Sequence, residues 1–295
     1  MTSQPEINRI GIIGAGLMGV GIAQVAASAG LAVALSDISL ERAQAGLGTI
    51  RKQLDRQVSK GALSADAADA TLARITPVAG LDAFAEADFV IEAATENVPI
   101  KLDLLGRLKP VLRADALLAS NTSSISITML AAATDRPDRF IGMHFFNPVP
   151  VMKLVELIPG LATSDATLAT VRGMAERLGK TVIVAKDSPS FIVNRVLVPM
   201  INEAIFALGE GVGSVQDIDN GMKLGASHPM GPLQLADFVG LDTALAIMRV
   251  MLEATGDTKY RPAPLLVKYV EAGWYGRKSG RGFYDYSGPE PVPTR

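Results

Sequence analysis

The chain has 295 residues, of which 48% are apolar and 20% charged, enough for two domains with sizeable cores. Its formal net charge of -2 argues against non-specific nucleic-acid binding. It contains no cysteine, which excludes disulfides, thiolate metal sites and a cysteine nucleophile, and we expect no metal site. No run of about eighteen apolar residues could cross a membrane and residues 1–8 are too short and polar for a signal peptide, so a soluble, cytoplasmic protein is expected.

The first predicted elements are a buried strand, a glycine-rich turn and a helix. Residues 10–13 are mostly β-branched and apolar, which is typical of a strand covered on both faces. The turn has the G-x-G-x-x-G spacing: the first glycine allows the bend, the second lets a pyrophosphate approach, and the third lets helix and strand pack closely. These glycines are Gly14, Gly16 and Gly19. The helix over residues 17–29 would point its first amides, those of Leu17 and Met18, at the phosphates.

An acidic residue follows the second predicted strand. Residues 31–35 form a short apolar run that leads to Asp37, where a carboxylate would accept hydrogen bonds from an adenosine ribose. The same carboxylate would repel a 2′-phosphate, so the pattern indicates NAD rather than NADP. The alternative is an ordinary glycine turn with a solvated aspartate at a strand end.

A pair of predicted helices, residues 40–60 and 64–74, follows and is larger than an ordinary crossover. Lys52, Arg56 and Lys60 recur at intervals of four residues and so share one helix face. That basic face is either simply solvated or a contact surface for a polyphosphate outside the dinucleotide site.

Short strands then alternate with helices, which predicts a parallel, doubly wound α/β sheet of the Rossmann type. The further predicted strands are residues 75–78, 89–92, 116–120, 140–145, 155–158 and 181–184, and the predicted helices are residues 99–109 and 165–178.

The pattern changes near residue 187 and is helical from there on, without a convincing strand. We therefore expect an NAD-binding domain over residues 1–187, with the helical pair inserted at about 40–74, followed by an all-α C-terminal domain over residues 188–295. Small helical domains that leave apolar faces uncovered often dimerise, so a homodimer is expected. Residues 289–295 are expected to be a disordered tail.

The chain has two histidines, and one of them has an acidic candidate partner. His144 ends an apolar strand, where the carboxyl edge of an open α/β sheet faces the ligand crevice. Glu156 lies inside the apolar run of the next strand, and a buried carboxylate needs a partner. A His–Glu pair would satisfy both groups and fix the imidazole tautomer for work as a base. The alternative for His144 is a structural role. His228 lies in a loop of glycines and prolines, where it would be structural or line the cleft.

Polar side chains at residues 121–124 directly follow the predicted strand 116–120, so they are helix caps, ligand contacts or both. An acyl-transfer triad of Ser123, His144 and Glu156 is conceivable. The sequence has no G-x-S-x-G elbow, however, and the dinucleotide motif indicates a different chemistry.

Taken together, several long motifs resemble the L-3-hydroxyacyl-CoA dehydrogenase family, particularly its short single-function 3-hydroxybutyryl-CoA members. The resemblance covers about residues 9–286, and its most specific stretch is MHFFNPVPVMKLVE at 143–156. Supporting stretches are ASNTSS at 119–124, FIVNR at 191–195, HPMGP at 228–232 and GRGFY at 280–284. The resemblance implies NAD-dependent oxidation of L-3-hydroxyacyl-CoA, with 3-hydroxybutyryl-CoA as the expected short-chain substrate, to 3-oxoacyl-CoA, and the reverse reaction.

The resemblance also implies roles for individual residues. His144 resembles the general base that takes the 3-hydroxyl proton, and Glu156 resembles its orienting carboxylate. Ser123 resembles the hydroxyl that contacts the substrate's 3-oxygen, and Asn194 resembles the amide that holds the substrate near the base. The residues that resemble NAD contacts are Asp37, Glu96, Lys101 and Asn121. The basic helix face would then hold the coenzyme A of an acyl-CoA thioester entering between the two domains, with Lys60 as the best single candidate.

Two positions depart from the family pattern. Ser190 stands where the family usually has glycine, so serine would be strained there if the turn requires a positive φ, and the placement of Asn194 would be affected. Gln53 replaces a serine that some relatives use near coenzyme A, so contacts to the nucleotide could differ.

Two alternative functions are considered beside this one. The 3-hydroxyisobutyrate-type dehydrogenases act on free acids and rely on a lysine four residues after the corresponding asparagine, where this chain has Val198. A non-catalytic NAD-binding protein like the lambda-crystallins would tolerate the loss of the candidate catalytic side chains, and all of them are present here.

Overall fold

The computed structural model describes residues 6–294. Residues 1–5, part of the stretch that is expected to be too short and polar for a signal peptide, lie outside the described residues. The chain divides into two compact units, Met1–Ser188 and Pro189–Arg295. Within the described residues, no helix combines the length and the apolar character that crossing a bilayer would take.

The first unit is built on an eight-stranded sheet with the strand order β3-β2-β1-β4-β5-β6-β7-β8. Its strands are β1 (Arg9–Ile13), β2 (Ala32–Asp37), β3 (Ile75–Ala79), β4 (Phe89–Glu92), β5 (Leu117–Ser120), β6 (Phe140–Phe145), β7 (Leu154–Pro159) and β8 (Thr181–Val184). The order reverses direction at β1, between β2 and β4, which is where an open α/β sheet forms its ligand crevice. The predicted doubly wound fold is confirmed.

One strand pair differs from the prediction of a parallel sheet. β6 and β7 are antiparallel, with His144 directly opposite Glu156, whereas every other neighbouring pair of this sheet is parallel. The physical reason is the length of the connection, because residues 146–153 are too few for the crossover that parallel strands require. The exception sets two candidate side chains face to face.

Helices cover the sheet, and most of them begin at a side chain that accepts a hydrogen bond from the helix's own backbone N–H. The helices are α1 (Leu17–Ser28), α2 (Leu40–Ser59), α3 (Ala65–Ala73), α4 (Val98–Leu108), α5 (Ile127–Ala132) and α6 (Asp165–Arg177). The capping residues are Ser39, Ser64, Asn97, Ser126 and Ser164. Apolar faces of α1 and α2 pack on the sheet through fully buried side chains such as Ile22 and Ile50. This packing fixes the ends of the strands around the turn after β1.

The second unit is mainly helical. Its helices are α7 (Val193–Gly209), α8 (Val215–Asn220), α9 (Pro232–Val239), α10 (Leu241–Thr255) and α11 (Pro264–Glu271). They enclose an apolar cluster that includes Ile201, Leu233, Leu241 and Phe283. A π-helical turn at Gly221–Gly225 follows α8.

The expectation of a disordered tail at residues 289–295 is wrong for the residues described. β10 (Val292–Pro293) pairs with β9 (Tyr284–Asp285) as a small antiparallel ribbon. The Thr294 hydroxyl donates to the carbonyl of Gly282 at 2.9 Å. These non-local hydrogen bonds, which no local pattern reveals, hold the segment against residues 282–285.

Candidate active site

The glycine-rich turn lies between β1 and α1, and each glycine meets a different steric demand. Gly14 has a φ of +100°, a conformation that L-residues rarely adopt. A Cβ at Gly19 would lie 1.7 Å from the carbonyl oxygen of Gly14, so only glycine lets α1 pack this closely. A Cβ at Gly16 would meet no atom within 4 Å, so the backbone there borders open space. No side chain caps the start of α1, which leaves the amides of Leu17 and Met18 suited to an anion.

Asp37 lies at the end of β2 and is held by three donors. Its Oδ2 accepts from the Ala15 amide at 2.7 Å, and its Oδ1 accepts from the Ile38 amide at 2.8 Å. The Arg42 guanidinium also donates to Oδ1, from Nε at 2.9 Å. Arg42 was not predicted from the sequence, although its position in the first helical turn after a strand-end acid was a usable signal.

A cavity of about 510 Å³ opens beside this carboxylate. Its lining away from the glycine turn combines apolar side chains with the charged side chains Arg42, Asp103 and Arg107; the apolar ones include Ile38, Leu81, Ile100 and Leu104. A pocket with apolar side chains for an adenine, a carboxylate for a ribose and exposed helix amides for a pyrophosphate has the chemistry that a dinucleotide needs. The residues present therefore fit a dinucleotide.

His144 and Glu156 form a buried contact at the carboxyl end of β6. The His144 Nδ1 lies 2.7 Å from the Glu156 Oε2, and their side chains are 7% and 0% exposed. The Phe146 ring packs beside the imidazole with a centroid distance of 4.6 Å. A carboxylate at Nδ1 fixes the tautomer and orientation of the ring, as general-base catalysis at the other nitrogen requires.

The loop after β5 is connected to the same strand end. Asn121 is buried, and its Oδ1 accepts from the Phe145 amide at 2.9 Å. This bond fixes the backbone next to His144. Asn121 therefore lies within the same cluster, and its amide holds the protein chain itself.

Glu96 is the centre of a second hydrogen-bond cluster in this loop. The carboxylate accepts from the Thr122 hydroxyl at 2.7 Å, from the Ser123 amide at 2.7 Å and from the Ser123 hydroxyl at 3.0 Å. The structure thus brings Glu96 and Ser123 together, and it places the Ser123 hydroxyl against a carboxylate. This pairing was not predicted from the sequence.

Lys101 lies beneath these loops and is only 2% exposed. Its Nζ is 2.6 Å from Glu92 Oε2, and the same oxygen accepts from the Ser120 hydroxyl at 2.6 Å. The other Glu92 oxygen accepts from the Ala94 amide at 2.8 Å. Lys101 therefore supports the loops from below through Glu92. A glutamate inside the apolar run of β4 was the signal for this partner, because a buried carboxylate needs one.

The basic face lies on α2, opposite the residues that pack on the core. Lys52 and Arg56 are exposed on the helix, and Lys60 is the exposed C-cap residue just beyond it. Within residues 6–294, none of the three forms an ion pair with an acidic side chain. Gln53 is half-buried beside them.

The remaining candidates belong to the second unit. Asn194 lies half-buried in the first turn of α7, and His228 follows the π-helical turn. Val198 is 1% exposed within an apolar cluster of this unit, so the position that would carry the lysine of the rival dehydrogenases is closed. Ser190 has a φ of 66°, so the turn does require a positive φ.

Potential metal ligands do not gather in the described part of the chain: no group of three or more His, Asp and Glu side chains there could hold an ion.

Comparison with known proteins identifies the family. Residues 9–188 match the family described as 3-hydroxyacyl-CoA dehydrogenase, NAD binding domain, and residues 191–286 match its C-terminal domain. A 3-hydroxybutyryl-CoA dehydrogenase of Bradyrhizobium diazoefficiens is 59% identical over 98% of this chain and 99% of its own. A probable 3-hydroxybutyryl-CoA dehydrogenase of Bacillus subtilis is 54% identical over 95% of this chain and 98% of its own.

A solved structure shows the same fold. The crystal structure of (S)-3-hydroxybutyryl-CoA dehydrogenase from Ralstonia eutropha superposes with a TM-score of 0.93 and 53% identity, over 96% of this chain and 100% of that one. The match covers both units.

Proposed function

The chain belongs to the 3-hydroxyacyl-CoA dehydrogenase family and is an NAD-dependent oxidoreductase, and we propose that it interconverts L-3-hydroxybutyryl-CoA and acetoacetyl-CoA with His144 and Glu156 as its general-base pair. The observation that carries the proposal is the 2.7 Å contact of these two buried side chains at the ligand-facing edge of the sheet. The substrate is inferred from three similar proteins, each of which is named a 3-hydroxybutyryl-CoA dehydrogenase or a probable one.

The proposed base works through the two nitrogens of one imidazole. In the oxidation, the 3-hydroxyl proton moves to His144 Nε2 as hydride leaves C3, and in the reduction the proton returns to the 3-oxygen. Glu156 at Nδ1 stabilises the imidazolium that forms in between. The nicotinamide, when bound, accepts or supplies the hydride.

Ser123 would hydrogen-bond the substrate's 3-oxygen. Its existing contact with Glu96 decides whether the hydroxyl must first change its hydrogen-bond partner. In the structure the Ser123 hydroxyl donates to the Glu96 carboxylate. The single proton of an alcohol substrate's 3-hydroxyl is directed to His144, and a ketone substrate has no proton to donate. In either direction Ser123 can therefore meet the 3-oxygen only as a donor, and it must turn its hydroxyl from Glu96 to the substrate.

We assign the remaining candidates in the same way. Asp37 would bind the adenosine ribose, and the amides that follow Gly16 would bind the pyrophosphate. Asn194 would hold the substrate, and Glu96 would contribute to the nicotinamide end of the cofactor site. The basic face on α2 would bind the 3′-phosphate and pyrophosphate of coenzyme A.

A homodimer formed through the second unit is also proposed. Apolar side chains of this unit remain exposed, among them Val196, Val212, Leu224 and Phe238. Burial of such side chains against a second copy would remove apolar surface from water. Light scattering should give twice the mass of the chain; a monomer at micromolar concentration would contradict this.

The function is tested by mixing the protein with acetoacetyl-CoA and NADH and following the absorbance of the reduced nicotinamide. NADPH and free acetoacetate serve as parallel substrates. Turnover that requires both NADH and the thioester supports the proposal. NADH binding without turnover would instead favour a non-catalytic NAD-binding protein, and turnover of free acids would favour the 3-hydroxyisobutyrate type.

The base pair is tested separately. His144→Ala should lower kcat by roughly 10²–10⁴-fold, since that is the usual contribution of a positioned base. Glu156→Gln should shift the pH profile of kcat for oxidation toward lower pH, because the imidazolium loses its neighbouring negative charge. A His144 variant that changes only KM would refute its role as base.

A further inference from the structure

Arg42 is a charged side chain in the cofactor cavity to which the proposed function assigns no role. It lies in the first turn of α2 and lines the cavity of about 510 Å³ beside Asp37. Its Nε donates to the Asp37 Oδ1 at 2.9 Å, and its side chain is 63% exposed whereas that of Asp37 is 10% exposed. The arginine thus reaches over the rim of the cavity to the carboxylate at its end.

The hydrogen bonds of Asp37 put Arg42 in competition with a ribose. A carboxylate has about four acceptor sites. The Ala15 amide, the Ile38 amide and Arg42 occupy three of them, which leaves one for a ribose that has two hydroxyls to donate. For both hydroxyls to bind, Arg42 must release Asp37.

The rest of the guanidinium is available to an anion. Over residues 6–294, the structure gives neither Nη1 nor Nη2 of Arg42 a hydrogen-bond partner. A guanidinium binds phosphate through two parallel N–H donors. The carboxylate at the proposed ribose position, which would oppose a 2′-phosphate, is that of Asp37, and Arg42 is already directed toward it.

We propose that Arg42 is a cofactor-specificity residue, which weakens the preference of this site for NAD and becomes a 2′-phosphate ligand when Asp37 is neutralised. The inference rests on the proposed role of Asp37 at the adenosine ribose. Its consequence is that a single substitution at Asp37 should suffice to turn the site toward NADP, because the required cation is already in place.

The experiment measures binding of two probes that lack the nicotinamide, ADP-ribose and 2′-phospho-ADP-ribose, by calorimetry. The variants are Arg42→Ala, Asp37→Asn and the double variant. Asp37→Asn keeps an oxygen that can accept from the Ala15 amide, whereas its NH2 group cannot accept from the Ile38 amide or from Arg42, so the guanidinium is released. Circular dichroism reports whether each variant folds. Arg51→Ala is the matched control, because it removes the same charge from the exposed surface of the same helix, roughly 14 Å further along its axis.

Arg42→Ala alone should tighten ADP-ribose by about two- to fivefold, the amount expected for the loss of an exposed competing ion pair. Asp37→Asn should weaken ADP-ribose and tighten 2′-phospho-ADP-ribose. Adding Arg42→Ala to Asp37→Asn should weaken 2′-phospho-ADP-ribose by roughly tenfold to hundredfold, as for a lost charge-assisted hydrogen bond. Arg51→Ala should leave both affinities unchanged.

The outcomes separate the two ideas. If Asp37→Asn leaves ADP-ribose binding unchanged, the proposed role of Asp37 fails. If it weakens ADP-ribose but the single and double variants bind 2′-phospho-ADP-ribose equally well, Asp37 keeps its role and the inference about Arg42 is overturned.

Discussion

Ser190 shows the cost that a single backbone conformation can impose. It has a φ of 66°, and its neighbour Phe191 has a φ of 52°. The left-handed backbone conformation costs an L-residue roughly 1–2 kcal/mol more than it costs glycine. The Ser190 side chain is fully buried, and its hydroxyl has no hydrogen-bond partner in the described chain. Both facts make serine a poor choice at this position.

We therefore predict that Ser190→Gly stabilises the protein. The free energy of unfolding should rise by roughly 1–2 kcal/mol, because relief of the backbone and of the buried hydroxyl exceeds the entropy that glycine loses. Urea denaturation of the full chain measures it. Ser190→Ala is the control, since it removes the hydroxyl but keeps the strained φ, and equal stability of the two variants would mean that the backbone is not strained.

In the turn between β1 and α1, one glycine is required for packing of the helix and another leaves room for the cofactor, and single substitutions distinguish the two. Gly19 is pressed against the carbonyl of Gly14, whereas Gly16 borders open space. Gly19→Ala should lower the melting temperature strongly, since the backbone of the turn must move. Gly16→Ala should fold as the wild type but bind NADH more weakly, because a methyl group would stand where the pyrophosphate approaches.

Thermal melting and NADH titration of both variants test this prediction. A Gly16→Ala variant with wild-type affinity for NADH would show that the phosphates bind elsewhere. A stable Gly19→Ala variant would show that α1 can retreat from β1.

The basic face of α2 is the second element with a predictable effect. Replacing Lys52, Arg56 and Lys60 together by alanine should raise KM for acetoacetyl-CoA roughly tenfold, the sum of three exposed charge contacts, with less effect at high salt. The N-acetylcysteamine thioester of acetoacetate lacks the nucleotide and is the control substrate. An equal rise in KM for that thioester would mean that the face does not bind the nucleotide of coenzyme A.

At the scale of the whole molecule, two buried acids connect distant parts of the second unit. Asp219 accepts from the amide of Leu233 at 2.8 Å, at the start of α9, and from the hydroxyl of Tyr284 at 2.7 Å, on β9. Asp237 accepts from the amide of Phe283 at 2.9 Å and from the hydroxyl of Tyr286 at 3.0 Å. Burial raises the pKa of Asp237 to about 6, despite these hydrogen bonds. The hydrogen bonds attach the C-terminal ribbon to the helices.

A pH dependence of stability follows from the raised pKa of Asp237. Between pH about 4 and 6 the folded chain holds a proton that the unfolded chain has released, so this residue's contribution to the free energy of unfolding falls as pH rises through that window. Above that window the contribution is constant. The free energy of unfolding of the wild type minus that of Asp237→Asn should therefore decrease by up to about 3 kcal/mol from pH 4 to pH 7.

Denaturation of both proteins across this range measures the difference, because titrating groups distant from Asp237 contribute equally to both. A difference that does not depend on pH would mean that Asp237 titrates at an ordinary value. A difference that grows with pH would reverse the sign and show that the hydrogen bonds outweigh burial.

Features that depend on local pattern and on residue chemistry could be predicted from the sequence. Apolar runs predicted the strands of the first unit, and glycine spacing predicted the turn for the dinucleotide. The need of a buried carboxylate for a partner predicted that Glu156 would meet His144, and the motif around them identified the family. Local sequence suffices here because backbone conformation and side-chain burial depend on short-range periodicity.

Apart from the contact of Glu156 with His144, the meetings of distant groups could be read only from the folded chain. The antiparallel pairing of β6 and β7, the contact of Glu96 with Ser123 and the pairing of β10 with β9 each join segments through non-local hydrogen bonds. Arg42 was not among the predicted site residues, because its contact with Asp37 depends on how α2 packs beside β2. Such contacts depend on how whole helices and strands pack, and that packing is set by many residues far apart in the chain.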